Sequence, residues 1–140
     1  MSITKLKWLG DMAFDAELNN HHFTIDADLS VGGKDQGPRP KGLLLSGLAG
    51  CTGMDVVSIL KKMKVTNYKL ELDVDADSTS EHPKIYSKIY LSYKFEGNDL
   101  PIDKIKRAVE LSETRYCGVS AMLRKSAEIE TKILINGEEI

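Results

Sequence analysis

Two residues of this 140-residue sequence are best equipped for covalent chemistry, the cysteines Cys51 and Cys117. A thiolate is a nucleophile that oxidises to a sulfenic acid, and a second thiol can condense with that acid to form a disulfide. The two lie 66 positions apart (117 − 51), so they can meet only through the fold, and a Cys-x-x-Cys redox motif is excluded. Each also has a plain reading as a small buried hydrophobe, the usual state of a free cysteine. Residue type alone leaves both readings open. Cys51 lies in the apolar run Leu43 to Val57, with Gly47, Gly50 and Gly53 three residues apart around it. Each glycine costs roughly 1 kcal/mol against alanine in a helix interior. Either two backbones approach closely there, or space is kept around the sulfur. Cys117 follows Ser112-Glu-Thr-Arg-Tyr, with Arg115 close in sequence.

Other chemistries find little support. His21 and His22 are adjacent, so in a strand they point to opposite faces, and His82 falls in a turn. Scattered histidines and two distant cysteines match no zinc spacing, and no metal or cofactor is expected. No Walker loop, Rossmann glycine fingerprint or Gly-x-Ser-x-Gly elbow is present.

The elements that must position the cysteines follow from periodicity. Ile3 to Leu9, Ala13 to Leu18 and His22 to Ala27 read as a three-stranded meander, with Phe14, Ala16 and Leu18 facing inward. Val31 to Arg39 is a glycine-rich loop, and Pro40 suits the first position of a long helix running to Lys64. That helix is apolar nearly all round, which predicts burial at the centre of something. Cys51 lies well inside it, beyond reach of the N-terminal dipole, so activating its thiol needs a neighbouring cation. Tyr68 to Ala76 and Ile85 to Phe95 alternate as two strands around a turn at Ser78 to Pro83. A helix from Pro101 to about Tyr116 carries Ile102, Ile105, Ala108 and Val109 on one stripe. A short helical piece, Val119 to Arg124, and a last strand, Ala127 to Ile135, complete an α+β order in one domain spanning residues 1–140.

Net charge is −2, from 19 basic and 21 acidic residues, which gives no electrostatic reason to expect nucleic acid or an anionic membrane as partner. The N-terminus, Met1 to Trp8, has no apolar leader segment, and Leu43 to Met54 is short and glycine-rich for a membrane span. The expectation is a cytoplasmic protein whose thiols stay reduced.

Gly37-Pro-Arg-Pro-Lys-Gly-Leu-Leu-Leu-Ser-Gly-Leu-Ala-Gly-Cys-Thr-Gly-Met-Asp-Val-Val-Ser-Ile-Leu-Lys-Lys-Met63 resembles the central helix of the OsmC/Ohr family, named for osmotically inducible protein C and organic hydroperoxide resistance. Leu111-Ser-Glu-Thr-Arg-Tyr-Cys-Gly-Val-Ser-Ala-Met-Leu123 is similar to that family's second cysteine motif. The run Asp-Val-Val-Ser-Ile-Leu points to its OsmC-like (YhfA-type) branch. The resemblance implies antiparallel sheets around a long buried central helix, in an intertwined homodimer with active sites at the subunit interface. It implies that Cys51 is the peroxidatic thiolate, attacking an organic hydroperoxide, and that Cys117 resolves the sulfenic acid to a disulfide. A dithiol reductant such as a lipoyl protein would recycle the pair. The family places a glutamate ahead of the leucine run, where this chain has Lys41 and Gly42. It also has an arginine that stabilises the thiolate; Arg39 and Arg115 are the candidates here, with Glu113 as a substitute carboxylate. The alternative is a non-enzymatic dimer, sensing oxidants through its thiols or holding a small apolar ligand.

Overall fold

The computed structural model describes residues 3–140. Of the segment expected to carry no leader, Met1 and Ser2 lie outside the described residues. The chain divides into two compact units, Met1–Leu44 and Leu45–Ile140.

In the first unit, β1 (Thr4–Gly10), β2 (Ala13–Leu18) and β3 (His21–Ile25) form the expected antiparallel meander. Asp11 and the pair Asn19–Asn20 take positive φ at the two reversals, a conformation that Asn and Asp tolerate. Register places Leu6, Ala16 and Phe23 in one row and Trp8, Phe14 and Ile25 in the next, on one apolar face. Ala16 and Ile25 are buried, whereas Leu18, expected inward, is exposed at the strand end. An open apolar groove of about 570 Å³ lies among Leu6, Met12, Phe14, Ile25, Val31 and Pro40. The loop after β3 is organised by buried Asp26, whose carboxylate accepts the backbone N–H of Ala27 (2.7 Å), Lys34 (3.2 Å) and Gln36 (3.1 Å).

The second unit holds the main core. Helix α1 (Leu43–Lys62) starts three residues later than Pro40, because Pro40 and Lys41 are spent on a turn that receives the N–H of Leu43 and Leu44. β4 (Lys69–Ser78) pairs antiparallel with β5 (Tyr86–Glu96). Then come α2 (Ile102–Leu111), a π-helical turn (Ser112–Tyr116), α3 (Gly118–Leu123), β6 (Glu128–Ile135) and the two-residue β7 (Glu138–Glu139). The sheet order is β4-β5-β6-β7. β6 lies parallel to β5, a departure from the expected antiparallel sheets; the helices between the two strands supply the crossover that parallel pairing needs.

Leu48, Val56 and Leu60 of α1 pack against Ile89, Leu91, Tyr93 and Phe95 of β5 and Ile105, Ala108 and Val109 of α2. Ile102, expected on that stripe, is exposed at the first position of α2. A Cβ at Gly53 would stand 3.3 Å from Leu72 of β4, so close approach explains this glycine. Around Gly47 and Gly50 a Cβ would meet nothing within 4 Å among the described residues. By length and composition α1 could cross a membrane, with a mean hydropathy of 1.7. Its fully buried line of Leu48, Thr52, Val56 and Leu60 is that of a core helix. The opposite face stays open: Met54 is 77% exposed and Val57 45%.

Candidate active site

The fold brings the two thiols together. Cys51 Sγ, Cys117 Sγ and a carboxylate oxygen of Asp55 all lie within 4.8 Å of one another. Both cysteines are free thiols; Cys51 is half-buried and Cys117 buried. Two pieces of local geometry achieve this. In α1, Asp55 stands one turn after Cys51, on the same face. At the other wall the chain leaves α2 through the π-helical turn, closed by the Cys117 N–H on the carbonyl of Ser112 at 2.8 Å. Such single π turns insert an extra residue into a helix and recur at functional sites. Cys117 then caps α3, its sulfur accepting the Ser120 N–H at 3.3 Å.

Ser112 ties the walls together. Its buried hydroxyl donates to Asp55 Oδ2 at 3.0 Å, while its carbonyl holds the Cys117 backbone. The Tyr93 hydroxyl of β5 is fully buried and, among the described residues, has no hydrogen-bond partner of ordinary geometry. Burial pushes its ionisation far up, opposed by the Thr52 hydroxyl and reinforced by Glu113, Cys117 and Asp55. Thr52 spends its own proton on the carbonyl of Leu48, at 2.9 Å.

The electrostatics at Cys51 are those of a restrained thiol. Burial, the neighbouring Cys117 and the Asp55 charge all push its pKa up, and only the Val119 backbone N–H pulls it down. No cation is among the groups that shift the Cys51 thiol. Arg115 is exposed, its guanidinium 5.5 Å from the centre of the Tyr116 ring. Glu113 accepts the Thr131 hydroxyl and lies 3.7 Å from Arg124. Arg39 belongs to the first unit, where it pairs with Asp35 (2.7 Å) and Asp28 (3.2 Å). Asp55, Ser112 and Tyr93 were not singled out from sequence. Only Asp55 carried a readable signal, its four-residue spacing from Cys51.

Comparison with known proteins agrees with the architecture. The family model for OsmC-like protein matches residues 33–132, a span that contains both cysteines and Asp55. Protein YhfA of Escherichia coli (strain K12) is 31% identical over 126 residues, covering 89% of this chain and 91% of that protein. The crystal structure of a hypothetical protein from Aquifex aeolicus VF5 superposes with a TM-score of 0.85 at 26% identity, covering 97% of this chain and 96% of the other. The organic hydroperoxide resistance protein OhrB of Bacillus subtilis shares the fold at a TM-score of 0.64 and 16% identity, covering 95% of this chain and 97% of the other. With a family model spanning both cysteines and a relative aligned over nearly its whole length, this chain belongs to the OsmC-like protein family.

Proposed function

We propose that the chain reduces organic hydroperoxides through Cys51 and Cys117. The observation that carries this reading is the meeting of two thiols within 4.8 Å, from positions far apart in sequence, in a fold shared with hydroperoxide resistance proteins. Access orders them. Cys51 is the more exposed and attacks the O–O bond; the alcohol leaves and a sulfenic acid remains. Buried Cys117 then condenses with it, water leaves, and a dithiol such as a lipoyl group reduces the disulfide. Two free thiols suit the cytoplasm.

The working form is a homodimer. Its support is apolar surface that one chain leaves bare: Met54 and Val57 on α1, and Leu6 and Trp8 on the apolar face of the first unit.

The test is single- and multiple-turnover reduction of cumene hydroperoxide. Cys51→Ser abolishes consumption, and Cys117→Ser leaves a sulfenic acid that dimedone traps. Unchanged consumption by Cys51→Ser refutes the reading. A second reading, a thiol sensor without turnover, is favoured by the carboxylate beside Cys51, which together with burial raises the pKa of that thiol. Stoichiometric oxidation that no dithiol converts into turnover selects it.

A further inference from the structure

The two chemical steps make opposite demands on the charge beside the sulfurs. The first wants Cys51 as an anion, and a neighbouring carboxylate hinders that. The second must take a proton from Cys117 and deliver one to the oxygen leaving Cys51, and a neighbouring carboxylate is suited to both tasks. The geometry points to Asp55 as the proton carrier of disulfide formation, acting between Cys117 and the sulfenic acid of Cys51.

Asp55 stands within 4.8 Å of both sulfurs, and the buried Ser112 hydroxyl fixes one of its oxygens. The same Ser112 holds the backbone of Cys117, so acid and thiol are placed by one residue. The titratable groups around it are few. Cys51 and Lys62 come from α1, Lys62 lining the cleft that Asp55 also lines, and Tyr116 joins that cleft from the π-helical turn. Cys117 closes the other side. Tyr93 of β5 feels the charges of both Asp55 and Glu113, while Glu113 is engaged by Thr131 and Arg124.

The step balances without an outside reagent. As the Cys117 sulfur attacks the Cys51 sulfur, its proton passes to the Asp55 carboxylate. The S–O bond breaks, and its electron pair leaves with the hydroxyl. Asp55 returns the proton to that oxygen and water departs. Cys117 is oxidised, the Cys51 sulfur is reduced from the sulfenic level, and Asp55 ends ionised.

This role rests on the hydroperoxide reading only for the source of the sulfenic acid. Its signature is a crossed effect in Asp55→Asn, which keeps an oxygen for Ser112. With Cys117 replaced by serine, the pH midpoint of Cys51 alkylation falls, because a negative charge has gone. Sulfenic acid forms at neutral pH at least as fast as in the wild type. Disulfide formation slows about 100-fold, the low end for a lost general acid–base group, and the sulfenic acid accumulates despite Cys117. Asp55→Glu recovers part of the resolving rate. Disulfide formation at the wild-type rate, or slowing of both steps together as a packing defect would give, overturns the assignment. If cumene hydroperoxide leaves the wild type unoxidised, excess hydrogen peroxide supplies the sulfenic acid. Slow resolution in Asp55→Asn then upholds the carrier while the hydroperoxide reading falls, and failure of both oxidants overturns both.

Discussion

Closing the Cys51–Cys117 bond should stabilise the second unit by an amount the chain length sets. A cross-link acts mainly on the unfolded ensemble, by removing loop-closure entropy. For a loop of 66 positions (117 − 51), that entropy corresponds to about 4 kcal/mol at 25 °C. Against this stands the cost of closure. The sulfurs, up to 4.8 Å apart, must come to about 2.05 Å, so α1 and the π-helical turn must yield. A net gain of about 2–4 kcal/mol follows. With a urea slope of about 2 kcal/mol/M, the midpoint rises by about 1–2 M. Far-UV circular dichroism is the right probe, because α1, α2 and α3 report on the unit that holds the cross-link. The fluorescence of Trp8 is not, since that residue is 63% exposed on β1 in the other unit. Oxidised and reduced protein are compared at equal concentration, with the intramolecular bond verified by mass. An oxidised midpoint equal to or below the reduced one would refute the argument that the fold already holds the two sulfurs near bonding geometry.

Three further outcomes are expected. Met54→Glu puts a charge on the bare face of α1, and sedimentation should register at least about 100-fold weaker dimerisation; a wild type that is monomeric at high concentration refutes the interface. Tyr93→Phe removes a buried hydroxyl without a partner, so urea unfolding should register no loss and up to about 1 kcal/mol of gain; a comparable loss means the hydroxyl is satisfied by Thr52 after all. Asp26 has its pKa lowered, first by the Ala27 N–H and then by those of Gln36 and Lys34 against the opposing effect of burial. Its stabilisation is therefore present above the unfolded-state value, about pH 4, and is lost as pH falls through the lower folded value. Trp8 fluorescence should follow that acid loss in the first unit, and Asp26→Asn should flatten the curve.

What the sequence made legible was whatever repeats over short distances. The alternation of Leu70, Leu72, Val74 and Ala76, and of Ile89, Leu91, Tyr93 and Phe95, located β4 and β5 because a strand repeats every two residues. The parallel partnership of β5 and β6 had no local mark. Its register, such as Ile89 with Ile129, is set by how α2 and α3 return the chain. Proline fits a turn as well as a first helical position, so α1 begins three residues beyond Pro40. At the site, neither cysteine's surroundings announced the other; only two motifs in the order of a known family did so. Ser112 was invisible because it acts across a five-residue π turn, a period that no helix template samples.

The apolar helix α1 carries this lesson furthest. Leu43 to Val57 is apolar on nearly every side, and sequence alone therefore demands that every side be dry. One side is dry within the chain, against β5 and α2. On the other, Met54 and Val57 are exposed, and a Cβ at Gly47 or Gly50 would meet nothing within 4 Å among the described residues. Sequence patterning states which surfaces must be covered and is silent on what covers them. A glycine whose absent Cβ would clash with nothing among the described residues is unexplained by packing within the second unit. It is explained if a second backbone lies there, and the same second copy would dry Met54. The composition of one helix thus leaves an apolar face to be covered on the same helix that carries Cys51, and the dimer proposed above would cover it.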